Sequence, residues 1–290
     1  MADRPAAEID ITIDLVHQLL RHGAPSLADQ PIAELSRGWD NTIFRLGSDL
    51  LVRVPHRAVA APLIEHEQRW LPDIAARVDL SIPAPVHAGA STEFFPWPWS
   101  ITPWFAGTEA ARAELANPAA TAEVLADFFN QLHTHAPADG PVNPYRGVPL
   151  ADRTEAFEAS LTRLDDSSDR GAITAVWQRA LAAQPTARCC WLHGDLHGRN
   201  MIVRDGELTA VIDWGDITTG DPATDLAGAF MLVPDHLEIV RHNTDTTPAD
   251  WERARGWALH FALIYLTMSD NDAVMRHFGQ KVLKSALESA

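Results

Sequence analysis

Apolar positions along this 290-residue chain change their period more than once. Near the start, Ile11, Leu15, Val16, Leu19 and Leu20 recur at helical spacing, which predicts an amphipathic helix. From Ile32 the pattern becomes strand-like. NTIFRLG and DLLVRVP flank a Gly-Ser-Asp turn and predict a hairpin. From Ala58 to Val78 helical spacing returns, with Ile64, Trp70, Leu71 and Ile74 as its apolar points. The proline-broken LSIPAPVHAG predicts an extended edge segment. WPWSITPWFAGTEA holds a short strand and then Pro and Gly, which sets a boundary near Thr102 to Gly107. Beyond it TAEVLADFFNQLHTHAP, LADRTEAFEASLTRL and AITAVWQRALAAQ read as helices, and helices resume from about Thr224 to the end. The expectation is an α+β chain of two lobes: residues 1–106, a β-sheet with a helix, and residues 107–290, mainly helical with an inserted β-hairpin.

Composition narrows the partners. Hydrophobic residues make up 46% of the chain, enough for a sizeable core. The net charge is −16, from 39 acidic and 23 basic residues, which argues against nucleic acid or an anionic membrane surface as partner. It is compatible with a cationic small molecule. Cys189 and Cys190 are adjacent and give neither a disulfide framework nor a zinc spacing. They are expected to be small buried residues at a strand start, and a reducing cytoplasm fits. No apolar signal-peptide core and no membrane-length run is present in the sequence.

The chemistry concentrates in WLHGDLHGRNMIVRDGELTAVIDWGD, Trp191 to Asp216. Asp205-Gly206 tolerates the positive φ of a type I′ turn and predicts a hairpin. Its two ends then meet, which brings Asn200 beside Asp213, with Asp195 five residues earlier. Phosphoryl transfer needs such a set. One carboxylate orients or deprotonates a hydroxyl, while an amide oxygen and a second carboxylate hold Mg²⁺ on nucleotide phosphates.

HGDLHGRN followed by IDWGD resembles the signature of the aminoglycoside phosphotransferases and related kinase-like enzymes. The His-Arg-Asp-x-x-x-x-Asn loop of kinases matches His193-Gly194-Asp195 through Asn200 in spacing, and Asp-Phe-Gly matches Asp213-Trp214-Gly215. The resemblance implies a bilobal protein-kinase-like fold, with ATP or GTP and Mg²⁺ as cofactors. Asp195 would be the catalytic base, and Asn200 and Asp213 the Mg²⁺ ligands. His193 and Asp225 (in DPATDLA) would support the loop. No Gly-x-Gly-x-x-Gly loop occurs. Gly38, Trp39, Asp40 and Asn41 stand where a phosphate-covering turn is expected. Arg53 replaces the usual strand lysine, with Glu67 as its helix partner and Glu65 as the rival. Thr102 and Trp104 would lie beside the base. The acceptor would be a small-molecule hydroxyl, most readily that of an aminoglycoside or macrolide antibiotic, with Glu155, Glu158, Asp165 and Asp166 as contacts to a cationic substrate.

Three other readings stay open. The acceptor could be a small metabolite of choline, homoserine or sugar type. His193, Asp195 and His197 alternate, so an extended strand would face all three one way, as in half of a metal-hydrolase site. A kinase-like binder without chemistry is the third, kept open by Arg53.

Overall fold

Strand alternation in the first third becomes one antiparallel sheet in the computed structural model, which describes residues 6–165, 169–268 and 272–288. Helix α1 (Ile13–Gly23) starts at Thr12, whose hydroxyl accepts the Leu15 N–H, and buries Val16, Leu19 and Leu20. Strands β1 (Ile32–Arg37), β2 (Asn41–Leu46) and β3 (Leu50–Pro55) run as successive hairpins, and α2 (Ala61–Ala75) follows. Strands β4 (His87–Gly89) and β5 (Trp99–Pro103) complete the sheet in the order β1-β2-β3-β5-β4. The proline-broken segment therefore does lie at the sheet edge, with its last three residues as β4 and Ser81 bridged to Ala210 of the hairpin that turns at Asp205-Gly206. Phe44, Val52, Val54, Trp99 and Ile101 pack with the apolar face of α1 into one core.

The chain leaves this sheet at Pro103 and enters a second one at β6 (Thr108–Glu109), a two-residue strand with no alternation to announce it. It pairs with β8 (Met201–Arg204), which pairs in turn with β9 (Glu207–Val211). Asp205 at φ 54° and Gly206 at φ 82° make the expected turn between them. Before this hairpin come α3 (Pro118–Leu132), α4 (Thr154–Arg163), α5 (Arg170–Ala182) and β7 (Cys190–Leu192). After it, β10 (Thr218–Gly220) returns to pair with β7. Then follow α6 (Ala223–Leu232), α7 (Leu237–Asn243), α8 (Pro248–Met268) and α9 (Ala273–Glu288).

Helix α8 is apolar around most of its girth because it is enclosed: α6, α5, α4 and α9 all pack on it. Phe157 of α4 stacks on Trp177 of α5 with ring centroids 3.9 Å apart. The second core runs from these helices to Leu71 and Ile74 at the end of α2, so α2 joins the two parts. Cys190 is buried at the start of β7 as expected, but Cys189 is exposed, because alternation along an extended chain turns neighbours to opposite sides. Among the described residues, no helix is long and apolar enough to cross a membrane.

Candidate active site

A short loop between β7 and β8, His193 to Asn200, is tied down at four points. Asp225, fully buried in the first turn of α6, accepts the His193 N–H at 2.7 Å and the Gly194 N–H at 2.9 Å. His133 lies 3.3 Å from the same carboxylate. The His193 ring accepts the Asp195 N–H at Nδ1 (3.2 Å), so its proton sits on Nε2, which donates to the Ile212 carbonyl at 3.0 Å. Asn200 donates through Nδ2 to the Asp195 carbonyl at 2.9 Å, and its own carbonyl accepts the Ile212 N–H at 2.8 Å. Gly194 has φ 88°, and a Cβ there would stand 2.4 Å from the Asp216 carbonyl oxygen, so only glycine lets the loop run this close to the Asp213–Asp216 segment.

This knot brings Asp195, Asn200 and Asp213 to one place. The amide nitrogen of Asn200 is engaged, so of its side-chain amide only Oδ1 could serve as a ligand. Asp213 sits at φ 60°, a left-handed conformation that is costly for a residue with a side chain. Its carboxylate stays 64% exposed and lies 3.9 Å from Arg53. The Asp195 carboxylate meets Arg146 Nη2 at Oδ1 (3.2 Å) and His197 Nε2 at Oδ2 (3.4 Å). Burial alone would raise its pKa, but His197, Arg146 and His193 outweigh burial and hold it well below the usual carboxylate range. Asp216 goes the other way: burial, then the nearby Asp195 charge, pushes it up, although Arg146 and Asn143 oppose.

On the other side, Arg53 of β3 donates to Glu67 of α2 at 2.6 Å, and both are buried. Burial raises the Glu67 carboxyl and the guanidinium pulls it back. Glu65, the rival partner, is exposed on the same helix. The turn Gly38 to Asn41 closes the β1–β2 hairpin by the Gly38 N–H on the Asn41 carbonyl. It is pinned by Asp40 to Arg57 (2.7 Å) and by the Asp40 carbonyl to the His56 N–H. Trp39 is exposed at its tip. Thr102 is buried on β5, while the Trp104 ring lies under the Arg45 guanidinium at 4.4 Å. Asn41 Oδ1, Glu67 Oε1 and Thr102 Oγ1 are buried polar atoms without a hydrogen-bond partner. Such atoms are rare in folded proteins, and a ligand is one way to satisfy them.

Other sequence candidates are placed elsewhere. Glu155 and Glu158 are exposed on α4, opposite the Phe157–Ser160 face that packs inward, so neither is turned to the protein interior. Asp165 is exposed just past that helix, and Asp166 lies outside the described residues. The alternating His193, Asp195 and His197 do not form a metal half-site. Both His193 nitrogens are committed within the fold, the His197 Nδ1 accepts the Arg199 N–H, and no group of three or more His, Cys, Asp or Glu able to hold a metal ion occurs among the described residues. The expectation failed because the segment is a loop rather than a strand. Conversely, Arg146 was missed. It comes from residues 133–149, a long proline-rich connection with no helix or strand, and an ordered loop of that length is itself a functional signal.

A family model described as the phosphotransferase enzyme family (APH) matches residues 31–257. The chain belongs to this phosphotransferase family. Among solved structures, the GDP and kanamycin complex of the aminoglycoside phosphotransferase APH(2")-IIia matches with TM-score 0.67 at 20% identity, covering 94% of this chain and 98% of that one. The macrolide 2'-phosphotransferase MphH from Brachybacterium faecium matches with TM-score 0.62 at 22% identity over 93% and 98%. The streptomycin–ATP–APH(2")-IIa ternary complex gives 0.60 at 18% over 92% and 95%. At these identities the likeness is one of fold, and it confirms the bilobal kinase-like α+β architecture expected from the sequence. No curated protein matches in sequence.

Two outcomes follow for this phosphotransferase. Arg53→Ala would strand the buried Glu67 carboxylate and should cost about 3–5 kcal/mol of stability, as broken buried pairs do; denaturant midpoints at constant slope measure it, and a loss below about 1 kcal/mol would show that water reaches the pair. The second outcome concerns pH. Because the Asp195 pKa is lowered, its ionised form persists as pH falls, and an acid limb of turnover due to this group should lie below the ordinary carboxylate value of about 3.9. His197→Asn removes the largest opposing charge and should move that limb upward; a pH–rate profile with an unmoved limb contradicts the assignment.

Proposed function

We propose that this phosphotransferase moves the γ-phosphoryl group of ATP or GTP to a hydroxyl of a small molecule. The observation that carries the reading is the convergence of Asp195, Asn200 and Asp213 on one braced loop and hairpin, with Arg53 reaching Asp213 from the neighbouring sheet. Nucleotide would lie between the sheet of residues 1–106 and the helical part, 107–290, which we take as a nucleotide-binding lobe and a catalytic, acceptor-binding lobe. Two separate cores and the passage from Pro103 to Thr108 support that division. We also place the protein in a reducing cytoplasm, which suits two free cysteines.

In this mechanism the acceptor hydroxyl donates a hydrogen bond to Asp195. As the bond from its oxygen to the γ-phosphorus forms, the bond from phosphorus to the β–γ bridging oxygen breaks, and the hydroxyl proton passes to Asp195. Arg53, held by Glu67, offers a fixed guanidinium to the inner phosphates in place of a lysine. The Gly38–Asn41 turn covers the phosphates, and the backbone about Thr102 and Trp104 meets the base. Asn200 Oδ1 and the Asp213 carboxylate form a hard oxygen donor set that suits Mg²⁺, which would offset phosphate charge. Positioning and electrostatics then supply most of the acceleration.

Antibiotic hydroxyls are the acceptor class that the aminoglycoside and macrolide phosphotransferases of like fold support. A small metabolic alcohol is the second reading, and one observation favours it: the side chain touching Asp195 from residues 133–149 is an arginine, not an acid. The test is transfer of labelled γ-phosphate from ATP and from GTP, with Mg²⁺, to aminoglycosides, macrolides and small alcohols. Asp195→Asn should lower turnover roughly 10²–10⁴-fold while nucleotide affinity stays near normal. A folded mutant with undiminished turnover removes Asp195 from the role, and a wild type that binds neither nucleotide removes the function.

A further inference from the structure

Five side chains, Arg146, Phe261, Arg153, Tyr145 and His260, form a second constellation next to Asp195. Arg146 reaches Asp195 Oδ1 at 3.2 Å and lies over the Phe261 ring at 5.0 Å. Arg153, just ahead of α4, lies over the Tyr145 ring at 5.3 Å. His260, next to Phe261 on α8, is fully buried with neither ring nitrogen hydrogen-bonded. The Nε atoms of Arg146 and Arg153 are likewise buried without a partner. Burial, then the charges of Arg153 and Arg146, drive the His260 pKa down to about 3, so it is neutral at physiological pH.

The charges here do not balance. Arg146 faces both Asp195 and Asp216, so its charge is matched. Arg153 makes no ion pair among the described residues. Its nearest acid in sequence, Asp152, is exposed and opposes its shift only weakly, whereas burial and Arg146 both lower its pKa. Arg153 is only half-buried, but its Nε donor is buried, and a buried donor is costly unless something pairs with it. The acidic residues that could have welcomed a polycation, Glu155 and Glu158, are on the solvent face of α4.

We infer that Arg153, beside Arg146, is an acceptor-recognition residue of this enzyme, and that the acceptor carries a carboxylate alongside the hydroxyl it presents to Asp195. One unmatched guanidinium suits one negative charge, and its planar fork fits a carboxylate through two donors. The exposed Tyr145 ring offers an aromatic face for the acceptor's carbon skeleton. A polyamine would instead meet two guanidiniums. This inference rests on the phosphotransferase reading above and goes beyond it by naming the acceptor's charge.

The full chain is given labelled ATP or GTP, Mg²⁺ and hydroxy acids, each paired with its own carboxamide, together with kanamycin and a macrolide. Nucleotide binding is measured separately. The expected result is a kcat/KM higher for the acid than for its amide by about 10- to 100-fold, the range for a hydrogen bond to a charged group. Arg153→Gln should erase that ratio mainly through KM, and Arg153→Glu should invert it towards amine-bearing acceptors, with melting temperatures confirming that both fold. Equal use of acid and amide, product from no hydroxy acid, or kanamycin as good an acceptor as any acid overturns the inference while leaving the phosphotransferase reading in place. Failure to bind either nucleotide overturns both.

Discussion

Two backbone N–H groups, those of His193 and Gly194, end on a single buried carboxylate, Asp225. A carboxylate taken out of water is costly unless its oxygens are satisfied, and hydrogen bonds to a charged group contribute about 1.5–3 kcal/mol each. Asp225 gains two such bonds and a third contact from His133. Its place in the first turn of α6 adds the favourable end of the helix dipole. The loop that carries Asp195 can therefore sit against the helical core rather than against solvent. His193 and Asn200 extend the restraint to the end of the hairpin, where Asp213 is held in its left-handed conformation. Arg253, which grips Asp221 through two bonds, anchors the start of α6 to α8 and keeps Asp225 in place.

Much of this was legible in the chain. The Asp205-Gly206 pair fixes a two-residue turn, and a hairpin of known ends places Asn200 beside Asp213 by geometry alone. Arg53 and Glu67 were readable because a strand arginine and a helix acid stood where a known pattern requires partners. What the chain concealed depends on long-range packing. β6 is too short to alternate, and β7 pairs with β10 across 25 residues of intervening hairpin. Arg146 lies in a segment without periodicity, so nothing local marks it as a neighbour of Asp195. Glu155 and Glu158 lie on the exposed face of α4, which the sequence alone did not fix.

Net charge and the charges that meet Asp195 differ in sign. The chain carries −16 overall, yet the side chains meeting Asp195 from the helical part are an arginine and a histidine. Bulk acidity spread over a surface keeps a protein soluble, whereas the charge a substrate meets is set by a few side chains at short range, where water screens least. The same short range would let Asp195, in the proposed role of base, serve with a lowered pKa. Its proton need arrive only late in transfer, and the cations that lower the pKa also fix the carboxylate's position.

The central claim is that the Asp225 carboxylate sets the loop geometry on which transfer depends. The most direct measurement is Mg²⁺-dependent turnover of Asp225→Asn beside its nucleotide affinity and melting temperature. An amide keeps the shape but cannot accept both N–H bonds as well, so turnover should fall by about 10²-fold, the scale of a small misplacement at a reacting centre, while nucleotide affinity changes little. A folded Asp225→Asn enzyme with wild-type turnover would contradict the account.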